Sequence, residues 1–592
     1  MEVYKVIRDS VHGNIELERS FVENILDTPY FQRLRRIEQS SVRAIYPCAR
    51  HDRFTHSLGV YHVGTKIVEN LKPQISKIKP LEKNQIETIT KSYLIACLLH
   101  DIAHAPFSHT FESYYGDVTV LYDLLKEKLG KDLVPDRLNL GEIKEHELAS
   151  AILVADKFKD SIQSPNLLGG DLELVCRMII GAPYSENTTY YQICNCFIKL
   201  LHGEVDADRL DYACRDIWSS GYKSVSIDIN RVIHAMHIEL YKDSYELCFN
   251  HNVIGDIRNV MELKRFQKSH IFNHHTIVYD QELLVQAAET MASEYFDNAH
   301  RPLTLSDIIC LDAVEGEKNI TNTTGAHQLR LLGDDDLYFL MKQSNNIYFK
   351  ELSSRTYKRF ALWKSPEEFY AIFPTIDKTI NITNKDFAKK VKKALKQMKA
   401  DLMDEVEILT REVTYKERAS IDDLLIVVHN EPKPYHEVRH DIFKETSGAR
   451  EFSFTYLYVP KPKKNETLEK IRKKAIELVR PVVEELFKAK TCEKDICTKV
   501  KDYLVQFGCN VDISKATFSK RDISQLKRML TKFEMKPDSL LNKLATDLLT
   551  LIISSQEGPF NVKSPKQRMR RARAPKAPTI TQKDIDELNR RN

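Results

Sequence analysis

Residues 94–109 read LIACLLHDIAHAPFSH. Apolar residues recur in pairs at 94/95, 98/99 and 102/103, which predicts a largely buried helix through the stretch. His100, Asp101 and His104 sit inside it, with His109 at its end. A lone buried histidine is ordinarily a satisfied core residue. An aspartate beside it is then an internal ion pair, costly but tolerable when paired. Three other stretches argue for chemistry instead. HDRFTHSLGVYHVG places Arg53 and His56 three apart on one helical face. GEVDADRLDYACRD places Asp208, Asp211, Tyr212 and Arg215 on one face by i, i+3 and i+4 spacing. KEHELASAIL adds His146-Glu147. Each alone reads equally as solvated surface; together with a His-Asp pair in an apolar helix they read as one site. Two histidines and two carboxylates suit a borderline or hard divalent ion, Mn, Fe, Zn or Mg, better than a thiolate-loving one. Such an ion lowers the pKa of a bound water to about 7. Further histidines shuttle protons or bind phosphate, and arginines clamp phosphate oxygens. The chemistry implied is attack of hydroxide on phosphorus.

These residues need a scaffold. The chain has 592 residues, enough for several domains, and its 42% hydrophobic and 29% charged residues suit a globular protein with a large core. A net charge of +4 is too small to argue for nucleic acid by itself. The start, MEVYKVIRDSVHG, has no apolar signal-peptide run, and no window reaches the roughly 18 apolar residues of a membrane span. The 11 cysteines are scattered; Cys194-x-Cys196 and Cys492-x4-Cys497 lack zinc-site spacing, so reduced thiols in a cytoplasmic or nuclear compartment are expected. Residues 1–310 read as mostly helical, with YKVIRD and YELCFN as the strand candidates. DDDLYFLMKQ reads as helix, DDLLIVVHNEP and REFSFTYLYVP as strands. NETLEKIRKKAIELVRPVVEELFKAK reads as a helix bent at Pro481. The stretch 561–580 holds seven Lys or Arg, three Pro and no acid, a composition that predicts disorder. The expected fold is mainly α: a helical core over 1–310, an α+β regulatory lobe over 311–465, a helical region over 466–560 and a basic tail over 561–592.

The set His56 … His100-Asp101 … Asp208 resembles the H…HD…D signature of the HD phosphohydrolase superfamily. KVIRDSVHGNIEL, DTPYFQRLRRIEQ, RFTHSLGV, LLHDIAHAPFSH and VDADRLDYACRD are similar, in order, to the SAM- and HD-domain deoxynucleoside triphosphate triphosphohydrolases and their bacterial relatives. The likeness covers about 3–290 and continues weakly to about 365; with the HD region at the N-terminus, no SAM domain is expected ahead of it.

The resemblance implies roles. His56, His100, Asp101 and Asp208 match metal ligands, and His104, His109 and His146 match histidines near the scissile phosphate, one of which protonates the leaving oxygen. Arg53, Arg209 and Arg265 match phosphate-holding positions; Tyr212 and Asp216 match sugar contacts, and Gln39 a residue near the base and 3′-hydroxyl. Lys5, Asp27, Gln32 and Arg35 match a guanine-nucleotide activator site at a subunit junction, and Arg355 and Arg359 a second basic pair. An aspartate and an arginine suit a guanine edge, but the same residues fit an N-capped amphipathic helix whose charges face water. The implied reaction releases nucleoside and intact triphosphate from a dNTP, in a homotetramer or dimer, and would lower dNTP pools in antiviral defence. Ser40, Asn273 and Arg8 depart from the family pattern, which leaves deoxyribose selectivity and the activator open. An HD phosphodiesterase or nuclease anchored on nucleic acid by the basic tail, and a nucleotide sensor without turnover, are the alternatives.

Overall fold

The computed structural model describes residues 3–506 apart from 135–136, 223–226, 324, 377–383, 399–401, 403–405, 417–420, 440–450 and 463–466. The chain divides into two compact units, Met1–Glu484 and Glu485–Asn592. Of the second, the described part is the end of the Leu468–Gln506 helix, which runs on through Pro481 where the sequence predicts a bend. The basic tail at 561–592 lies outside the described residues, as does the expected helical region beyond 506.

The first unit is mainly α, as expected. It opens with a hairpin, Lys5–Asp9 against Gly13–Leu17, Lys5 opposite Leu17. The helix Arg53–Ile75 then packs on Lys83–Leu99 and on Ala207–Ser219, while Leu172–Ile180 packs on Lys83–Leu99 and on Glu145–Lys157. Their facing sides form one apolar cluster that includes Val60, Ile67, Ile95, Leu98, Leu148, Val175 and Leu210. Two glycines set how closely these helices approach. A Cβ at Gly64 would lie 2.7 Å from Cys97 Sγ, and one at Gly59 1.9 Å from Asp211 Oδ1. Aspartates start the two helices that matter most: Asp52 accepts from the Thr55 N–H at 2.8 Å, and Asp206 from the Arg209 N–H at 2.7 Å. Caps of this kind contribute about 1 kcal/mol each and fix where the first turn begins. His56 and Asp208 therefore stand in first turns, on backbone that the caps hold.

The helix expected through 94–109 is shorter. Lys83–Leu99 ends at Leu99, His100 is its C-cap, and 101–107 is a run of turns. Pro106 brings no amide and disfavours helical backbone at the residue before it, and Phe107 and Ser108 both take positive φ, 54° and 53°. The apolar pattern continues because the turns are buried too, not because the helix continues.

Strands occur where YKVIRD, YELCFN, DDLLIVVHNEP and REFSFTYLYVP predict them, and DDDLYFLMKQ is the helix Asp334–Gln343. The boundary expected at 310 is not a break in the packing. Ser244–Asn250 pairs in parallel with Leu425–Val428, Cys248 opposite Leu425, so one four-stranded sheet joins residues from both sides of it. In the three-stranded sheet, Glu451–Pro460 lies between Arg359–Ala361 and Leu409–Lys416. Every cysteine with a described side chain is free, and among the described residues no helix is long and apolar enough to cross a membrane.

Candidate active site

Four polar groups converge where the capped helices meet the end of Lys83–Leu99. His56 Nε2 lies 3.0 Å from Asp208 Oδ1 and 3.6 Å from Asp101 Oδ2. His100 Nε2 lies 3.4 Å from Asp101 Oδ2 and 3.8 Å from Asp208 Oδ1. The other nitrogen of each ring is committed: His56 Nδ1 faces Asp211 Oδ2 at 2.7 Å, and His100 Nδ1 faces the Cys97 carbonyl at 3.0 Å. An acceptor at Nδ1 places the hydrogen there and leaves the Nε2 lone pair pointing inward. Both Nε2 atoms are buried without a hydrogen-bond partner. Two lone pairs facing two carboxylates repel unless a cation sits among them. The donor set, two imidazoles and two carboxylates with acceptors behind the rings, fits Mn, Fe, Zn or Mg and has the outer-sphere support that metal-binding histidines need. Burial opposes a positive charge on His56, yet the Asp208 and Asp211 carboxylates prevail and lift its pKa to about 10. A proton and a metal thus compete for one seat, and metal uptake there releases a proton.

Asp211 shares a helical face with Asp208 but does different work. It is fully buried and takes both Arg215 Nε (2.8 Å) and Nη2 (2.9 Å), along with His12 at 2.6 Å. It orients His56 from behind. Arg215 reaches on to Asp9 at 2.8 Å, so the first hairpin is tied to the metal seat.

Beside this seat lies a second cluster. The rings of His104 and His146 stack at 4.4 Å, and His109 meets His104 edge-on at 5.0 Å. Glu112 holds both outer rings, accepting from His109 Nδ1 at 2.8 Å and contacting His146 Nδ1. His104 is fully buried with neither ring nitrogen partnered; burial, then the Arg53 charge, hold it neutral. One nitrogen from each of the three rings lies within 4.8 Å of the others. The stacked pair is only 25° from parallel, however, so its in-plane lone pairs do not meet on one ion. The cluster suits a phosphoryl oxygen and its proton better than a second metal. Sequence reasoning missed Glu112; its i, i+3 spacing from His109 was the available signal.

Both clusters open on one cavity of about 490 Å³. Gln39, Arg53, Tyr212 and Asp216 line it. Arg53 contacts Asp101 and donates to Ser108 Oγ at 3.0 Å. Gln39 Oε1 is buried and unpartnered; Asp216 is held by His51 Nε2 at 2.7 Å. Lys144, Lys264, Lys268 and Arg411 add positive charge to the lining. Two expected phosphate contacts lie elsewhere. Arg209 is buried against Glu204, 3.2 Å from its carboxylate, and Arg265 is exposed beside Glu262 at 2.6 Å. Lys264 and Lys268, one place before and three after Arg265, line the cavity in its stead. Departing residues Ser40 and Asn273 line it as well.

Among the expected regulatory residues, Lys5 pairs with Asp27 at 3.3 Å and Arg35 donates to Gln32 at 2.9 Å. Gln32 stands on the short Pro29–Arg33 helix and Arg35 on the 3₁₀ turn after it; Asp27 precedes that helix, and Lys5 begins the first hairpin strand. Arg355 and Arg359 do not form an accessible pair. Arg359 is buried, 2.8 Å from Glu351, whereas Arg355 lies out by Tyr357.

Residues 53–211 match the family model of the HD domain. The chain carries an HD domain. The deoxynucleoside triphosphate triphosphohydrolase SAMHD1 homolog of Dictyostelium discoideum is 28% identical over 305 residues, 51% of this chain and 51% of that protein. Deoxynucleoside triphosphate triphosphohydrolase SAMHD1 of Homo sapiens is 24% identical over 369 residues, 60% of this chain and 51% of the human one. The chain thus spans about half the length of the curated relatives it matches. A phosphohydrolase from Bacteroides thetaiotaomicron of known structure shares the fold, with a TM-score of 0.51 at 19% identity over 77% of this chain and 99% of that one.

Proposed function

We propose that this HD domain is a metal-dependent phosphohydrolase that acts on deoxynucleoside triphosphates at the α-phosphorus, releasing nucleoside and inorganic triphosphate. The observation that carries it is the meeting of two unsatisfied clusters in one cavity: inward Nε2 lone pairs facing carboxylates, and a neutral, unpartnered His104 between two Glu112-held histidines. His56, His100, Asp101 and Asp208 would hold the divalent ion. When bound, it supplies Lewis acidity that activates water and polarises the phosphoryl oxygen at neutral pH. Arg53 and the cavity lysines bind the phosphate chain. Glu112 orients His109 and His146 by one nitrogen of each ring, and we assign to one of these two rings the proton that goes to the departing 5′-oxygen. Tyr212 and Asp216 bind the sugar, with Gln39 beside the base. The named relatives act on deoxynucleoside triphosphates, which supports this substrate class over a nuclease reading. Oligomerisation and activation by a guanine nucleotide at Lys5, Asp27, Gln32 and Arg35 belong to the same proposal. Incubation with each dNTP, each NTP and single-stranded DNA, with Mn or Mg and product chromatography, tests it. Inorganic triphosphate from dNTPs is the expected product; mononucleotides from DNA, or no product, overturn the reading.

A further inference from the structure

The turn that delivers His109 to the cavity is built from two consecutive non-glycine residues in the left-handed region, Phe107 (φ 54°) and Ser108 (φ 53°). L-residues with side chains avoid this region because Cβ crowds the carbonyl, so something outside the turn has to hold it. That holder is visible. Asp334, buried at the start of the Asp334–Gln343 helix, accepts from the Phe107 N–H at 2.6 Å with Oδ1 and from the Glu38 N–H at 2.9 Å with Oδ2. Its own helix does not use it as a cap, because Asp336 accepts from the Gly333 N–H at 2.8 Å.

We propose that Asp334 is a positioning residue for the cavity: one carboxyl group, from a helix far along the chain, latches the left-handed turn and the 38–39 segment so that Arg53 and His109 stay aimed. The inference rests on the cavity being the phosphohydrolase site proposed above. The route is short. Ser108 Oγ bridges the two latched segments, contacting the Glu38 carbonyl and receiving Arg53 Nε at 3.0 Å; Arg53 Nη2 also reaches the Gln39 carbonyl at 3.4 Å. Arg33 supports the same junction, donating to the Leu332 carbonyl at 2.7 Å and the His104 carbonyl at 2.8 Å. The close seat of Gly333, where a Cβ would meet Arg36 Cβ at 2.9 Å, keeps the helix start against the 33–38 segment. Anything that shifts this helix start therefore shifts the phosphate-binding side of the cavity, while the two histidines of the metal seat, His56 held from Asp211 and His100 from the Cys97 carbonyl, stay in place.

Full-length wild type, Asp334→Ala and Asp334→Asn are compared by hydrogen exchange, metal analysis and calorimetric binding of inorganic triphosphate. In Asp334→Ala, amides of 105–110 and of Glu38 should exchange at least tenfold faster, with the Lys83–Leu99 helix as protected as before. Triphosphate should bind at least fivefold more weakly at unchanged metal content. Asp334→Asn keeps one acceptor oxygen and should fall between, which preserves the test if the alanine variant folds poorly. Unchanged exchange in the turn, or protection lost equally throughout both variants, overturns the latch. Wild-type protein that neither binds triphosphate nor hydrolyses dNTPs overturns the proposed function, and the exchange arm still decides the latch.

Discussion

The cavity and the surface cluster at Lys5–Arg35 are both rich in charge, and they differ in what is left unmet. In the cavity, ring nitrogens of His56, His100 and His104 are buried with no hydrogen-bond partner, and Gln39 Oε1 likewise. At the surface, Lys5 with Asp27 and Arg35 with Gln32 are satisfied by each other in exposed positions. A buried polar group without a partner costs on the order of 1–3 kcal/mol. A fold that keeps several in one place has a ligand to receive there. Exposed pairs cost and contribute little, generally under about 1 kcal/mol, and say nothing alone about a ligand. The contrast therefore argues strongly for chemistry in the first region and leaves the second dependent on likeness to relatives.

The largest effect should come from the seat itself. His100→Ala and Asp208→Asn should each strip the protein of metal and cut dNTP turnover by on the order of a thousandfold, equivalent to about 4 kcal/mol of transition-state stabilisation. Their thermal melts should stay within the ordinary range of point variants, about 1 kcal/mol. Chelator dialysis of wild type should reproduce their turnover. Metal content and rate equal to wild type in both variants would dissolve the contrast between the two regions.

Asp211→Asn probes the support rather than the seat. Outer-sphere partners of metal-binding histidines typically change affinity by roughly 10–100-fold, and that weakening is expected here in chelator competition. A drop in melting temperature should accompany it, since Arg215 loses one of its two buried carboxylates while keeping Asp9 at 2.8 Å. Affinity as low as in Asp208→Asn would mean that the two aspartates have been assigned the wrong way round.

These residues show what sequence alone could and could not tell. His100 and Asp101 stand out in the sequence as an adjacent polar pair in an apolar stretch, whereas joining them to His56 and Asp208 as one ligand set is what the resemblance to the HD superfamily implies. The division of labour between Asp208 and Asp211 was invisible to periodicity, since both share a face; only the partners Arg215 and His12, distant in sequence, separate them. Arg265 and Lys264 are one residue apart, and a helix turns about 100° per residue, so a likeness good to one position cannot say which faces the cavity. The end of the helix at Leu99 was hidden for a different reason. Buried turns and buried helices are equally apolar, and the left-handed pair at 107–108 is imposed by Asp334, a tertiary contact with no local signature.

Glu112→Gln tests the second cavity cluster. Burial alone would raise this carboxyl, but His146 and His109 outweigh it and hold its pKa below the ordinary value of 4.5. A lowered folded pKa means that the carboxylate contributes stability above the unfolded value, and that this is lost as pH falls through the folded one. Wild type should therefore melt above Glu112→Gln at pH 7, and the gap should narrow below about pH 4.5. Turnover should fall by roughly 100-fold, the low end of the range for general acid–base groups, because both rings remain while their orientation loosens. Metal content should be unchanged. A gap in melting temperature that does not vary with pH would mean that the glutamate is held by something other than the two histidines.

The smallest structural effect should be at the surface cluster. In the absence of nucleotide, Asp27→Ala and Arg35→Ala should melt close to wild type, each removing an exposed contact that contributes under about 1 kcal/mol. Arg35 will show slightly more, since its guanidinium also lies 3.4 Å from the centre of the Phe54 ring. The informative arm adds ligand. A nucleotide that binds only an assembled state shifts assembly by RT ln(1 + [L]/Kd), about 2.7 kcal/mol at a hundredfold excess over Kd. If Lys5, Asp27, Gln32 and Arg35 read a guanine nucleotide, GTP or dGTP should enlarge the particle and raise the rate of wild type, and both variants should lose that response. The two internal pairs must first open, so the response should appear only where nucleotide binding exceeds the little that those pairs contribute. Gel filtration with and without nucleotide, run beside rates at fixed dNTP, reads this directly. Identical size and rate in wild type and both variants would make the cluster a self-satisfied charged surface, and would leave burial without a partner as the one feature separating a binding site from a charged patch in this chain.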